Sequence, residues 1–199
     1  MIDTQALRAL YPAPRERALR KQLPQLDAHC LRFIALSPFV VLASAGEQGD
    51  LDASPRGGEP GFVHAPDAHT LLLPDAPGNN RLDTLVNITQ TGRLGLLFMI
   101  PGVDETLRVN GRASLHDDAA LLARFAGAAR PPRLVVQVRV EQAYLHCAKA
   151  LMRSALWAPQ ARVERAVLPT MGRMIADQIG DTAEPESQEA MLARYAQDL

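Results

Sequence analysis

Four stretches of the sequence hold residues whose types and spacing suit chemistry on an anion or a planar ring. Ser54-Pro55-Arg56-Gly57-Gly58 follows a short apolar run. Its glycines let the backbone approach a ligand closely, Arg56 can clamp an anion with two parallel hydrogen bonds, and Ser54 adds a hydroxyl donor. A turn with one exposed arginine is the competing reading. Pro77-Gly78-Asn79-Asn80-Arg81 leads into an amphipathic run, and free N–H groups at a helix start favour a phosphate. An asparagine cap with a solvated arginine would also account for it. Glu105 to Arg112 places Thr106, Arg108, Asn110 and Arg112 on one face of an alternating run, which must look at water, a ligand or another subunit. Cys147 to Trp157 carries Lys149, Arg153 and the lone tryptophan, either core or interface filler or the edge of a ring site.

Other chemistries find little support. Cys30 and Cys147 are far apart, and His29, His64, His69, His116 and His146 are scattered, so ligand spacing for a zinc site is missing. There is no GxSxG elbow, no Walker loop and no GxGxxG after a strand.

The elements that must position these residues follow from periodicity and turn chemistry. Thr4–Leu10, Arg15–Leu23 and Leu26–Leu36 read as helices, the last with Leu26, Cys30, Phe33 and Ile34 on one stripe. Short strands are expected over Phe39–Ser44, Leu51–Ser54, Phe62–His64 and His69–Leu73, with Ser54–Gly58 as a break. A helix from Arg81 to about Gln90, capped by Asn79 or Asn80, ends at Gly92. Leu94–Ile100 reads as a central strand. Glu105–Leu115 alternates with Leu107, Val109, Gly111, Ala113 and Leu115 inward, and Arg133–Val140 with Leu134, Val136, Val138 and Val140 inward. Helices are expected over Asp117–Ala126, Ala148–Leu156, Met171–Ile179 and Gln188–Ala196. About six mostly antiparallel strands with helices at both ends suit a barrel or sandwich.

The chain has 199 residues, 47% of them hydrophobic and 22% charged, with a net charge of -1. That allows one domain, 1–199, with a barrel core at about 30–157, N-terminal helices within 1–36 and a helical extension over 160–199. There is no global basic field for nucleic acid, no apolar run long enough to span a bilayer and no apolar leader in Met1–Leu10. The expected location is the cytoplasm, with neither nucleic acid nor membrane as a partner.

Taken in order, these stretches resemble the FMN-binding split-barrel proteins related to pyridoxamine 5′-phosphate oxidase, and more narrowly an uncharacterised bacterial branch of them. The matching segments are Asp52–Gly57, Leu72–Asp75, Gly78–Ile88, Gly95–Gly102, Glu105–Gly111 and Cys147–Ser154, covering about residues 30 to 157. The resemblance implies a mainly β fold: a six-stranded antiparallel split barrel, dimerised so that FMN lies in a groove between subunits. Carried over, Arg56 and Arg81 would pair with the FMN phosphate, helped by Ser54, Asn79 and Asn80, with Pro55 and Gly57 in the same strand end. Pro74 and Asp75 occupy the position whose backbone faces the isoalloxazine. Thr106 and Arg108 would come from the strand beside the ring, from either subunit. Arg153 and Trp157 are further candidates at the variable C-terminal end.

The sequence departs from the oxidase in two places. The oxidase grips pyridoxal phosphate with a basic C-terminal segment, whereas the tail here is acidic over Asp181–Glu189, which argues against vitamin B6 oxidation. Asn80 stands beside Arg81 where the oxidase has two adjacent cations. The expected function is a flavin-dependent oxidoreductase acting on a small molecule, with no side-chain acid or base required. The alternatives are a non-enzymatic flavin-binding or sensing protein, a relative that holds haem through His64, His69 or His146, one that holds the deazaflavin F420, and an interaction module with an empty groove.

Overall fold

The computed structural model of the protein describes residues 1–128 and 130–197; position 129 of the expected barrel core and the last two positions of the expected 160–199 extension lie outside the described residues. Three helices come first: α1 (Thr4–Ala9), α2 (Glu16–Arg20) and α3 (Ala28–Leu36). The Asp27 carboxylate accepts from the Cys30 N–H at 2.8 Å and caps α3. Leu26, Cys30, Phe33 and Ile34 are buried together in the core, as their spacing predicts.

Seven strands follow: β1 (Phe39–Ala45), β2 (Leu51–Gly57), β3 (His64–Asp67), β4 (Thr70–Pro74), β5 (Arg93–Met99), β6 (Thr106–His116) and β7 (Val135–His146). They form one antiparallel sheet in the order β2-β1-β5-β6-β7-β4-β3. The fold is mainly β, and the count is seven rather than six because the short β3 pairs with β4 at the sheet edge. The concave side holds the core, including Val40, Leu42, Leu71, Leu73, Leu96, Phe98, Leu107, Val109, Val136 and Val138. Burying such side chains supplies the main drive to fold. A second apolar cluster, Leu72, Phe125 and Val135, lies on the outer side of β4 and β7.

Among the expected boundaries that move, such as the strand of Phe62–His64, which lies instead at His64–Asp67, two have a cause in the sheet itself. The Ser54–Gly58 break is instead the end of β2, which runs to Gly57. Pro55 is tolerated there because β2 is an edge strand and its missing N–H costs no ladder bond. β7 runs six residues beyond the expected Val140. A bulge explains this: Asn110 pairs with Gln142 and Gly111 with Val140, so Glu141 is extra and the alternation slips by one residue. Gly111 is required at this point, because a Cβ there would stand 2.1 Å from the Arg139 carbonyl oxygen.

The helix α4 (Asp83–Thr91) begins two residues later than its pattern predicts. After β7 come α6 (Lys149–Ser154), α7 (Met171–Ile179) and α8 (Gln188–Tyr195), while the helix expected over Asp117–Ala126 is a short α5 (Ala119–Leu122) and a 3-10 turn at Ala123–Phe125. The Asp118 side chain caps α5. Ala176 of α7 and Met191 of α8 are buried. No helix is long and apolar enough to cross a membrane among the described residues.

Candidate functional site

Directly opposed residues of an antiparallel ladder share a face. Arg56 opposes Val40, Val40 opposes Phe98, and Phe98 opposes Leu107. Arg56 therefore stands on the concave, core-side face of β2, and Ser54, which opposes Leu42, stands beside it. The Arg56 guanidinium donates to the Ser54 hydroxyl and, at 2.9 Å, to the Pro55 carbonyl. Pro55 and Gly57 lie on the other face of the strand.

Asp75 follows directly on Pro74, the last residue of β4, and its N–H donates to the Leu134 carbonyl at 3.0 Å. Burial raises its carboxyl above the ordinary range, and the nearby Arg56 charge opposes that rise. The structure thus brings Ser54, Arg56 and Asp75 into one electrostatic neighbourhood, although β2 and β4 are not neighbours in the sheet.

Between Asp75 and α4 the chain makes a turn with unusual backbone. Asn79 does not cap the helix. Its Oδ1 accepts from the Arg81 N–H at 3.1 Å, a side-chain turn that competes with helix formation. Asn80 and Leu82 both adopt left-handed conformations, with φ of 59° and 63°. The helix therefore starts at Asp83 with Leu82 in the cap position and no side-chain cap. Arg81 donates through Nε to Asp83 Oδ2 at 2.7 Å. It lines a cavity of about 520 Å³ with Asp52, Asp83, Asn87 and Gln90, between the β1–β2 hairpin and α4. Asp52 accepts from the Thr84 hydroxyl, tying β2 to α4. The two arginines expected to share a phosphate have different partners here: Arg56 has Ser54, and Arg81 has Asp83.

Thr106 and Arg108 lie on the opposite face of the sheet from Arg56. Arg108 opposes Leu97 on β5 and Tyr144 on β7, and Thr106 opposes His146. The Arg108 guanidinium sits 5.4 Å from the Tyr144 ring centroid. This outer face carries a row of small and amide residues, Ala53, Ala43, Gly95, Asn110 and Gln142, one from each of five strands. They line an open groove of about 600 Å³. The Trp157 indole donates to the Val103 carbonyl at 2.9 Å, which pins the segment after α6 near the start of β6. Arg153 is exposed on α6.

Residues 26–147, well over half of the chain, match the family model described as pyridoxamine 5′-phosphate oxidase. The chain belongs to the pyridoxamine 5′-phosphate oxidase family. Two solved structures illustrate the shared split-barrel fold. HupZ of Group A Streptococcus is 17% identical, with a TM-score of 0.50 over 60% of this chain and 93% of its own. A candidate pyridoxamine 5′-phosphate oxidase of Lactobacillus delbrueckii is 19% identical, with a TM-score of 0.50 over 62% of this chain and 98% of its own. At these identities the likeness speaks for the fold alone. Comparison with the curated proteins gives no match.

Within this family member, the motif residues fall into two groups on two faces of one sheet. Two further residues enter that sequence patterning did not single out. Tyr144 carries Arg108, and Lys21 reaches the same ring from the N-terminal segment, 5.5 Å from its centroid. Neither contact is local in sequence, and Tyr144 lies beyond the bulge where the alternation breaks. Of the three histidines considered as axial ligands, His64 stacks on Phe125 with centroids 4.3 Å apart. Burial, with Arg124 adding to it, lowers its pKa. Burial lowers that of His146 as well, with Arg108 and Lys21 adding to it. Both rings are thereby biased toward the neutral form.

Proposed function

We propose that this family member is an FMN-binding oxidoreductase acting on a small molecule, its flavin held between two copies of the chain. The observation that carries the reading is the division of the motif residues between the faces of one sheet. Ser54, Arg56 and Asp75 gather on the concave side of the β2 edge, while Thr106 and Arg108 project from the convex side. One ligand can engage both groups only if the second group is supplied by another subunit. The row of alanine and glycine on the outer face lets a second backbone approach closely there.

The donor set suits a flavin phosphate. Arg56 has a guanidinium with donors to spare beyond its bonds to Ser54 and Pro55. The start of α4 has N–H groups with no side-chain cap. Arg81 stands in the turn that leads into it. In this reading Arg56, Ser54 and the α4 turn hold the phosphate, and the backbone at Pro74 and Asp75 borders the ring. Thr106 and Arg108 of a second copy complete the enclosure. Bound FMN would supply the electron-accepting chemistry, so the chain need only bind, orient and exclude water.

The test is the absorbance spectrum of the purified protein, with the released chromophore identified by mass, before and after Arg56→Ala/Arg81→Ala. Stoichiometric FMN in the parent and its loss in the double variant are expected. FMN retained by the double variant overturns the site. A Soret band or a deazaflavin mass moves the cofactor to haem or F420 on the same barrel, and binding without turnover of any reductant leaves a flavin-binding protein that is not an enzyme.

A further inference from the structure

Lys21 and Arg108 both stand against the Tyr144 ring and both act on His146, an arrangement that the flavin reading uses only through Arg108. Arg108 and Tyr144 oppose each other across β6 and β7, and His146 is two residues further along the same face. Both cations stand within 5.5 Å of the Tyr144 ring centroid. Lys21 comes from far away in sequence, yet its position is built. The Leu23 N–H donates to the Ala143 carbonyl at 3.0 Å and the Ala143 N–H to the Leu23 carbonyl at 2.8 Å. Lys21 Nζ then donates to the Leu145 carbonyl at 2.7 Å. The free edge of β7 thus holds a lysine beside an arginine.

Among the described residues no carboxylate forms an ion pair with Lys21, Arg108 or His146, whereas on the same face Arg93 and Arg112 share Glu141. Burial, with the charges of Arg108 and Lys21 adding to it, biases the His146 ring toward the neutral form. Holding two cations on one ring costs repulsion, which a bound anion would remove. Lys21 brings three N–H donors, Arg108 a planar fork and Tyr144 a hydroxyl. That set recognises a compact oxyanion.

We propose that Lys21, Arg108, Tyr144 and His146 form the subsite for an anionic group, phosphate or carboxylate, of the molecule this protein acts on. Its place beside the flavin ring rests on the reading above, because Arg108 belongs to both. The binding of the anion does not.

The test uses the full chain loaded with FMN, titrated with inorganic phosphate and separately with acetate at constant ionic strength in chloride. Backbone amide shifts are followed by NMR. Saturable shifts centred on Lys21, Tyr144 and His146 are expected, and Lys21→Met should weaken them by about tenfold, the scale of one charge-assisted hydrogen bond. A stronger response to phosphate assigns a phosphorylated substrate, and a stronger response to acetate a carboxylate. Thermal melting checks that Lys21→Met is folded, and His146→Gln gives a second variant expected to weaken binding. The proposal is overturned by the lack of saturable shifts, by shifts confined to Ser54 and Arg56, or by unchanged affinity in folded Lys21→Met. If the protein takes up no FMN and yet binds the anion at Tyr144, the flavin reading fails and the anion site stands.

Discussion

Arg56 and Arg108 belong to the same sheet and stand on its opposite faces, because Arg56 shares the concave row of Val40, Phe98 and Leu107, and Arg108 the convex row of Leu97 and Tyr144. If both serve one flavin, they do so from different subunits.

That arrangement predicts complementation. Arg56→Ala and Arg108→Ala homodimers should each retain little FMN. A mixed dimer holds one site lacking both arginines and one site with both intact. Co-refolding the two variants should therefore restore flavin to about half of the sites of each heterodimer. Flavin content per chain, read after separating tagged heterodimers, checks this, and no recovery above the parent variants would count against the shared site.

Asp75 predicts a pH dependence of stability. Its carboxyl is raised in the folded protein by burial, from an ordinary value of 3.8. The folded state therefore holds its proton more tightly than the unfolded chain does. Stability is lost as pH rises from the unfolded value through the folded one, and the loss is complete above it. Asp75→Asn removes this titration. The variant should gain Tm relative to the parent at pH 7 and gain less, or nothing, at pH 4. Paired melting curves across that range would expose an error if the difference were flat or reversed.

Cys30 and Cys147 should separate cleanly in thiol chemistry. Cys30 is 3% exposed, and burial pushes its thiol up to about 11. Cys147 is exposed. Only the thiolate attacks a disulfide reagent, so at pH 8 Cys30 should react more than about a hundredfold more slowly than a free thiol. Ellman titration of Cys147→Ser should show almost no fast thiol until the chain is unfolded. A full fast equivalent would mean that the α3 side of the core opens readily.

Leu82 predicts a stabilising substitution. It has a left-handed backbone, is 52% exposed, and sits in the cap position of α4 without a capping bond. The left-handed conformation costs a leucine roughly 1–2 kcal/mol, and asparagine adopts it more readily. Leu82→Asn should therefore raise stability by about 1 kcal/mol. Chemical denaturation of both proteins measures it, and a loss of stability would show that the leucine makes contacts worth more than its strain.

Periodicity disclosed the frame where side-chain burial follows one clean rule. The stripe of Leu26, Cys30, Phe33 and Ile34, the alternation of Leu107 to Ala113 and the span of α7 are all as patterned. It failed where a single residue altered the rule. Glu141 in the bulge hid the second half of β7, and the left-handed Leu82 delayed α4. The motif residues of the candidate site could be named in advance, because arginine, glycine and asparagine declare themselves by type. Their distribution over two faces, the Arg81–Asp83 pairing and the arrival of Lys21 at Tyr144 depend on strand register and long-range packing, which no local pattern encodes.

The extra residue at Glu141 acts as a phase shifter in β7. Before it, Val136, Val138 and Val140 point to the core; after it, Ala143 does, and Tyr144 and His146 are turned outward. Paired without the bulge, the same sequence would keep strict alternation from Val140 and exchange the two sides of everything downstream. Tyr144 and His146 would be driven into the apolar interior, and Ala143 would be put on display. The outer face of this barrel is thus set by a single point of slippage, where one residue without a partner shifts every later side chain to the other side.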